Sequence, residues 1–166
     1  MAAKSYRDTA IQYARAVLKG ERKAGKEVVM ACARFMKDLQ RDDLELRTKD
    51  PDLVIGIIER TMVHQQGENL KGEPLLNTPL ILVDWQIFII YNLVGFYYKG
   101  TNERRYKEAF IFIPRKNGKT TFVAALAWGL AILGRGSGSR IYIIAASSKQ
   151  ALQSFDFLLF NLRHMG

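Results

Sequence analysis

The strongest constraint on this chain is a change of hydrophobic rhythm near residue 96. Before it, apolar residues recur at the helical period; after it, short runs rich in aromatic and β-branched residues alternate with helix-length apolar segments. Residues 106–113, YKEAFIFI, read as a strand. With the aromatic run 96–99 and the turn-like GTNE between them, the region holds either a strand pair or one strong strand. Residues 118–133 are alanine-rich and apolar, suited to a helix buried against a sheet, and GRGSGS at 134–139 breaks it. Residues 140–146, RIYIIAA, have the length and apolarity of a parallel strand covered on both faces. Ser147 and Gln150 then have capping-box spacing, ahead of an amphipathic helix with Ala151, Phe155, Leu158, Leu159 and Leu162 on its apolar face. Strand, loop, helix, strand, helix is the opening of a doubly wound α/β domain. The expected fold class is therefore α/β, an incomplete parallel sheet in residues 77–166 preceded by a helical region in 1–76. Open sheet edges invite pairing, so a homo-oligomer is an available outcome.

The helical region follows from periodicity and caps. Tyr6, Ala10, Tyr13, Ala14, Val17 and Leu18 predict one helix, which Gly20 can end. Val28, Val29, Cys32, Phe35, Met36 and Leu39 predict a second over 27–40. Asp50-Pro51 opens a third, with Leu53, Val54, Ile57, Ile58 and Met62 on its face. Residues 65–76, with two glycines and a proline, read as a loop. Asp84 then stands as N-cap to a largely buried helix beginning Trp85-Gln86.

Composition narrows the classes of function. The 166 residues are 48% hydrophobic and 25% charged, which suits a globular domain with its own core. A formal net charge of +9 favours a polyanionic partner or an anionic ligand, with a solvated basic surface as the alternative. The single cysteine, Cys32, lies in an apolar stripe and reads as a small buried hydrophobe. His64 and His164 have no neighbours at zinc-ligand spacing. The longest apolar run, residues 85–98, is interrupted by Gln86 and Asn92 and falls short of the ~20 residues of a membrane span. The N-terminus lacks the apolar core of a secretion signal, so a reducing cytoplasm is the expected compartment.

The chemistry concentrates in IFIPRKNGKTT, residues 111–121. Its second half has the parts of a phosphate-binding loop: Gly118 permits close backbone approach, Lys119 supplies charge for the β/γ-phosphates, and Thr120 offers a hydroxyl to Mg²⁺. Its first half departs from the pattern, because Ile113 stands where a glycine is usual and Pro114 removes an N–H donor. The alternative for a bare GKT is a charged turn; the strand before it and the helix and strand after it favour a nucleotide site. Arg115 can meet the γ-phosphate as an arginine finger in cis does, or face solvent with Lys116 at the sheet edge.

With these residues the sequence resembles the large terminase subunits of tailed bacteriophages, motors that pump DNA into capsids. PRKNGKTT is similar to that family's deviant phosphate loop, which has an arginine and no leading glycine. Leu82-Val83-Asp84-Trp85-Gln86 is similar to its adenine-binding segment, in which a glutamine amide, both donor and acceptor, reads the base. Residues 104–110 and 145–151 and the leader beginning YARAVLKG extend the likeness over nearly the whole chain. Taken alone, Trp85-Gln86 is an ordinary helix start with a buried aromatic.

The resemblance implies a P-loop NTPase core of the RecA-like type with ATP and Mg²⁺ as cofactors. Trp85, Gln86, Arg115, Lys116, Asn117, Gly118, Lys119, Thr120 and Thr121 would bind the nucleotide, Lys119 and Arg115 would act in catalysis, and Thr120 would face the metal. The partners implied are double-stranded DNA, the small terminase subunit and the capsid portal, in the cytoplasm of a bacterial host. No apolar strand ending in Asp-Glu follows Ser147, nor does the carboxylate cluster of the family's nuclease domain. The chain therefore reads as the N-terminal part of such a protein, and little ATP hydrolysis is expected from it alone. Two other readings are open: a helicase-like P-loop ATPase, and a non-catalytic module using Tyr97, Tyr98, Arg104, Arg105 and Tyr106 as a basic-aromatic contact surface.

Overall fold

The computed structural model of the protein describes residues 5–69, 71–114, 117–134 and 139–165. Along them run α1 (Tyr6–Leu18), α2 (Lys26–Asp38), β1 (Leu44–Leu46), α3 (Lys49–Thr61), α4 (Asp84–Gly95), β2 (Phe96–Tyr98), α5 (Lys119–Leu133) and α6 (Ser148–Met165). They fall into two compact units, Met1–Asp52 with Leu82–Phe110, and Leu53–Ile81 with Ile111–Gly166.

In the first unit α1 packs on α2 and α4. Ser5 caps α1 by accepting from the Asp8 N–H, and Gly20, at φ +75°, ends it in the left-handed conformation that glycine alone adopts freely. The buried stripe of α1 is Ala10, Ile11, Ala14 and Val17, whereas Leu18, expected on it, is 41% exposed. Small residues on this face let α4 approach, and α4 fills the unit with Ile87, Phe88, Ile90, Tyr91 and Val94. Phe35 of α2 meets Phe88 and Phe96 edge-on, at centroid separations of 5.2 and 5.4 Å, the geometry favoured by the ring quadrupoles. Val28 and Val29 of α2 lie outside this contact; its buried face is Cys32, Phe35 and, unexpectedly, Asp38.

β1 and β2 pair antiparallel with Leu46 opposite Phe96 and Leu44 opposite Tyr98. The chain turns back after β2 through Gly100, at φ +73°, and Tyr97 bridges Arg104, so a short hairpin does form there. Residues 106–113, expected as a strand, and 140–146, expected as a parallel strand, hold no strand; both segments are irregular, and among the described residues the sheet consists of β1 and β2 alone. A parallel strand is held by ladder bonds to neighbours, and neither segment lies in such a ladder here. Their apolar side chains stand in solvent, with Phe110 92%, Phe112 84% and Ile144 93% exposed.

The second unit is built on α5 and α6, which pack together, and on the later turns of α3. Val54, Ile55 and Ile58 of α3 are buried, as are Phe122, Ala124, Ala125 and Leu126 of α5. Gly129 of α5 allows close packing: a Cβ there would lie 2.8 Å from Val54 Cγ1. Ser147 precedes α6, and its Oγ accepts from the Gln150 N–H; of the expected apolar face Leu158 is buried, together with Phe157 and Asn161, whereas Phe155 and Leu162 are exposed. Asn161 is fully buried, and its amide holds Val63 from both sides, accepting from the Val63 N–H at 2.7 Å and donating to its carbonyl at 3.3 Å. Among the described residues no helix is long and apolar enough to cross a membrane.

Candidate nucleotide site

The loop ahead of α5 ends at a glycine whose backbone angle few other residues adopt. Gly118 is the N-cap of α5 at φ +67°, ψ 17°, and its carbonyl accepts from the Phe122 N–H at 2.9 Å. A Cβ at Gly118 would meet nothing within 4 Å, so the residue is required by its backbone angle and leaves open space in front of the helix. Asn117 donates from Nδ2 to the Pro114 carbonyl at 3.3 Å, which closes the loop with Pro114 despite the missing N–H of that proline. Lys119, Thr120 and Thr121 then form the first turn of α5; Lys119 and Thr120 are exposed and Thr121 is half-buried. Arg115 and Lys116 lie outside the described residues.

The start of α5 differs electrically from those of its neighbours. α1, α2, α3 and α4 each have an acidic residue in the first turn, and α6 has the Ser147 hydroxyl. α5 has no acidic residue there, and no side chain caps it. The first N–H groups of a helix have no intrahelical acceptor and concentrate its positive field. At α5 they are joined by the charge of Lys119 and face the space beside Gly118. This arrangement suits an anion with several oxygens, and phosphate is such an anion.

Trp85 and Gln86 belong to the other unit, in the first turn of α4, and both are half-buried. The N-cap of α4 is Val83, so Asp84, expected to cap, is instead the first helical residue and pairs with Arg22 at 3.4 Å. Valine has no oxygen to cap with, and the helix is closed from the other direction. Gln86, at the third helical position, accepts in its Oε1 from the Val83 N–H at 2.9 Å, while the Gln86 N–H donates to the Val83 carbonyl at 2.9 Å. The acceptor of the amide thus works for its own helix, a use that the sequence reading of Gln86 did not foresee.

The aromatic and basic residues at 97–106 are mostly engaged within the first unit. Asp38, 2% exposed, accepts from Tyr106 Oη at 2.6 Å, and Arg105 Nε lies 2.8 Å from its carboxylate as an ion pair, with the N–H off the hydrogen-bonding line. Burial, then the bond to Asp38, pushes the Tyr106 phenol above its ordinary pKa. Tyr97 is 7% exposed and donates to Asp50 at 2.7 Å, with Arg47 stacked 4.3 Å from its ring; burial, then the Asp50 bond, raises its pKa to about 12. Tyr91 likewise donates to Asp52, and its pKa is raised by burial first and this bond second. Tyr97, Arg105 and Tyr106 are therefore framework, and the contact surface read from these residues loses most of its members. Asp38 was not singled out in the sequence because its partners lie 67 and 68 positions away.

Compared with known protein families, residues 84–162 match the model described as the terminase large subunit, ATPase domain. The match begins at the first residue of α4 and ends in α6, so it takes in Trp85, Gln86 and the whole loop before α5. No curated protein and no solved structure matches the chain.

Proposed function

We propose that this chain, whose residues 84–162 belong to the terminase large subunit ATPase domain family, is the nucleotide-binding portion of a motor that packages double-stranded DNA into a phage capsid. The observation that carries the reading is the start of α5: a helix N-terminus with no cap and no acidic residue, preceded by a left-handed Gly118 and followed by Lys119 and Thr120. In this reading the N–H groups of Lys119, Thr120 and Thr121 hold the phosphates, the Lys119 ammonium neutralises the β/γ oxygens, and the Thr120 hydroxyl faces Mg²⁺. Arg115 and Lys116 add positive charge beside the terminal phosphate, Arg115 as a finger in cis. Asn117 holds the loop closed, Trp85 offers a ring face to the base and Gln86 a polar edge. ATP supplies the phosphoryl group whose transfer to water drives the motor.

The irregular segments 106–113 and 140–146 take their place in this proposal as strands of a RecA-like parallel sheet. Their exposed phenylalanine and isoleucine side chains, together with Val123 and Ile132 of α5, are surface that such a sheet would bury. The net charge of +9 suits contacts to a DNA backbone without sequence reading. The small terminase subunit, the capsid portal and the cytoplasm of a bacterial host complete the assignment. Calorimetric titration of the 166-residue chain with ATP and Mg²⁺ tests the nucleotide site. Binding is expected, and Lys119→Ala is expected to weaken it roughly tenfold or more, about 1.4 kcal/mol. Equal binding by Lys119→Ala would remove the assignment of that lysine, and no binding by the wild type would remove the site.

A further inference from the structure

The helical period puts Lys26, Met30, Arg34 and Lys37 of α2 within an arc of about 80°. Burial fixes where that arc lies: Cys32 and Phe35, on the opposite side, are fully buried, and the residues of the arc are exposed. Among the described residues neither Lys26, Arg34 nor Lys37 has an acidic partner, whereas Arg7, Lys19 and Lys107 each pair with a carboxylate. Glu27, at the edge of the arc, turns its carboxylate back to Gly25, where an added Cβ would lie 3.6 Å from Oε2. Arg34 is steadied by stacking 5.4 Å from the centre of the Tyr106 ring. The nearby Asp38 is taken up by Arg105 and Tyr106, so the charge of Arg34 stays uncompensated. Lys26 and Lys37 stand about 17 Å apart along the helix axis. An exposed cationic stripe of this length, free of acids, complements the charge of a row of phosphates.

Resting on the packaging-motor reading, we infer that the outer face of α2 is a DNA-backbone contact, on which Lys26, Arg34 and Lys37 meet phosphates of a duplex without regard to base sequence. Phosphate contacts hold a duplex and carry no sequence information, as a protein that moves along DNA requires. Each contact releases condensed counterions, so binding through this face weakens steeply with salt. The face lies wholly within the unit formed by Met1–Asp52 and Leu82–Phe110, and it acts without nucleotide.

The test is fluorescence anisotropy of a labelled mixed-sequence DNA duplex titrated with the full chain over a series of salt concentrations, with thermal melts of every protein used. Arg34→Gln/Lys37→Gln is expected to lose roughly tenfold in affinity at low salt, and to make the slope of log K against log salt shallower by about 1.8, at ~0.9 for each phosphate contact. Lys37→Gln alone, which disturbs no ring stack, is expected to make it shallower by about 0.9 while melting as the wild type does. Arg34→Lys/Lys37→Arg keeps the charges and is expected to keep both affinity and slope. Arg7→Gln/Lys19→Gln removes the same charge from ion-paired positions on α1 and is expected to bind within about twofold of the wild type. A wild-type slope in Arg34→Gln/Lys37→Gln would overturn the inference, and so would an equal loss in the α1 variant, which would show that net charge alone binds DNA. Polyglutamate competing as well as an unlabelled duplex of equal charge would overturn it in favour of an acidic protein partner. Absence of duplex binding by the wild type would remove the face together with the DNA contact of the motor reading, and ATP titration would still decide the nucleotide site separately.

Discussion

In the unit formed by Met1–Asp52 and Leu82–Phe110, acidic groups near the core are answered from within: Asp38 by Arg105 and Tyr106, Asp50 by Tyr97, Asp52 by Tyr91. The start of α4 is likewise closed by its own Gln86. In the unit formed by Leu53–Ile81 and Ile111–Gly166, α5 starts with a glycine, a lysine and two threonines, and no side chain caps it. Both helix starts contain the same unsatisfied N–H groups by geometry. The contrast teaches that the chain can cap a helix and at α5 does not. In the proposed function, that uncapped start beside a lysine is where an anion supplied from outside binds.

The contrast can be broken most forcefully at Asp38. Replacing it with alanine leaves the half-buried Arg105 and the Tyr106 hydroxyl facing an apolar gap, a loss expected to be about 3 kcal/mol in urea unfolding. An unchanged midpoint would show that the network is no more than a surface ion pair.

A smaller effect on binding, with the opposite sign for stability, is expected from Thr121→Glu. It copies at the third position of α5 the cap that Gln86 provides in α4. The helix should gain about 0.5 kcal/mol from a carboxylate in its first turn, while ATP affinity falls roughly tenfold as that carboxylate takes the place of phosphate. If nucleotide binding survived, the open start of α5 would not be the phosphate site.

Gly118→Ala is expected to cost about 1 kcal/mol, because alanine at φ +67° is strained although space is free around it. A cost near zero would mean that the loop can adopt another conformation.

Tyr97→Phe should cost about 1 kcal/mol at pH 8, the net worth of one hydrogen bond to a carboxylate. The tyrosine has its pKa raised from 10.0 to about 12 in the folded protein, so its contribution is whole below pH 10 and fades as pH climbs toward 12. Wild type and variant should therefore converge in stability over that interval. A gap that stayed constant from pH 8 to pH 12 would contradict the bond to Asp50.

Local signals were legible in the sequence and distant ones were not. The six helices follow from apolar period, with Gly20 and Ser147 at the ends expected of them, whereas Asp50 and Asp84, expected as caps, lie in the first turns of α3 and α4, which begin at Lys49 and Asp84. Faces were less legible: Leu18, Phe155 and Leu162 share the period of their helices but not the buried side, which is set by the partner helix. β1, three residues in a charged stretch, gave no periodic signal. The apolar runs at 106–113 and 140–146 were read as strands by composition, yet strandedness is a property of pairs, and pairing is long-range. At the candidate site, the start of α5 after Gly118 was readable from the motif, and the left-handed angle of Gly118 was not. The cap made by Gln86 was hidden because its partner is the backbone N–H of a valine.

The grip of Asn161 on Val63 has a consequence for how this protein tolerates insertions. Each residue advances a helix by ~100° about its axis, so the double bond to Val63 sets the rotational phase of α6 at that turn. One residue inserted between Ser148 and Phe157 would leave that turn clamped and swing the start of the helix about a quarter-turn around it, carrying Ser147 out of phase. The rotational phase of α6 between its start and Asn161 is thus set at one end, and insertions close to a whole number of turns, about seven residues, disturb it least.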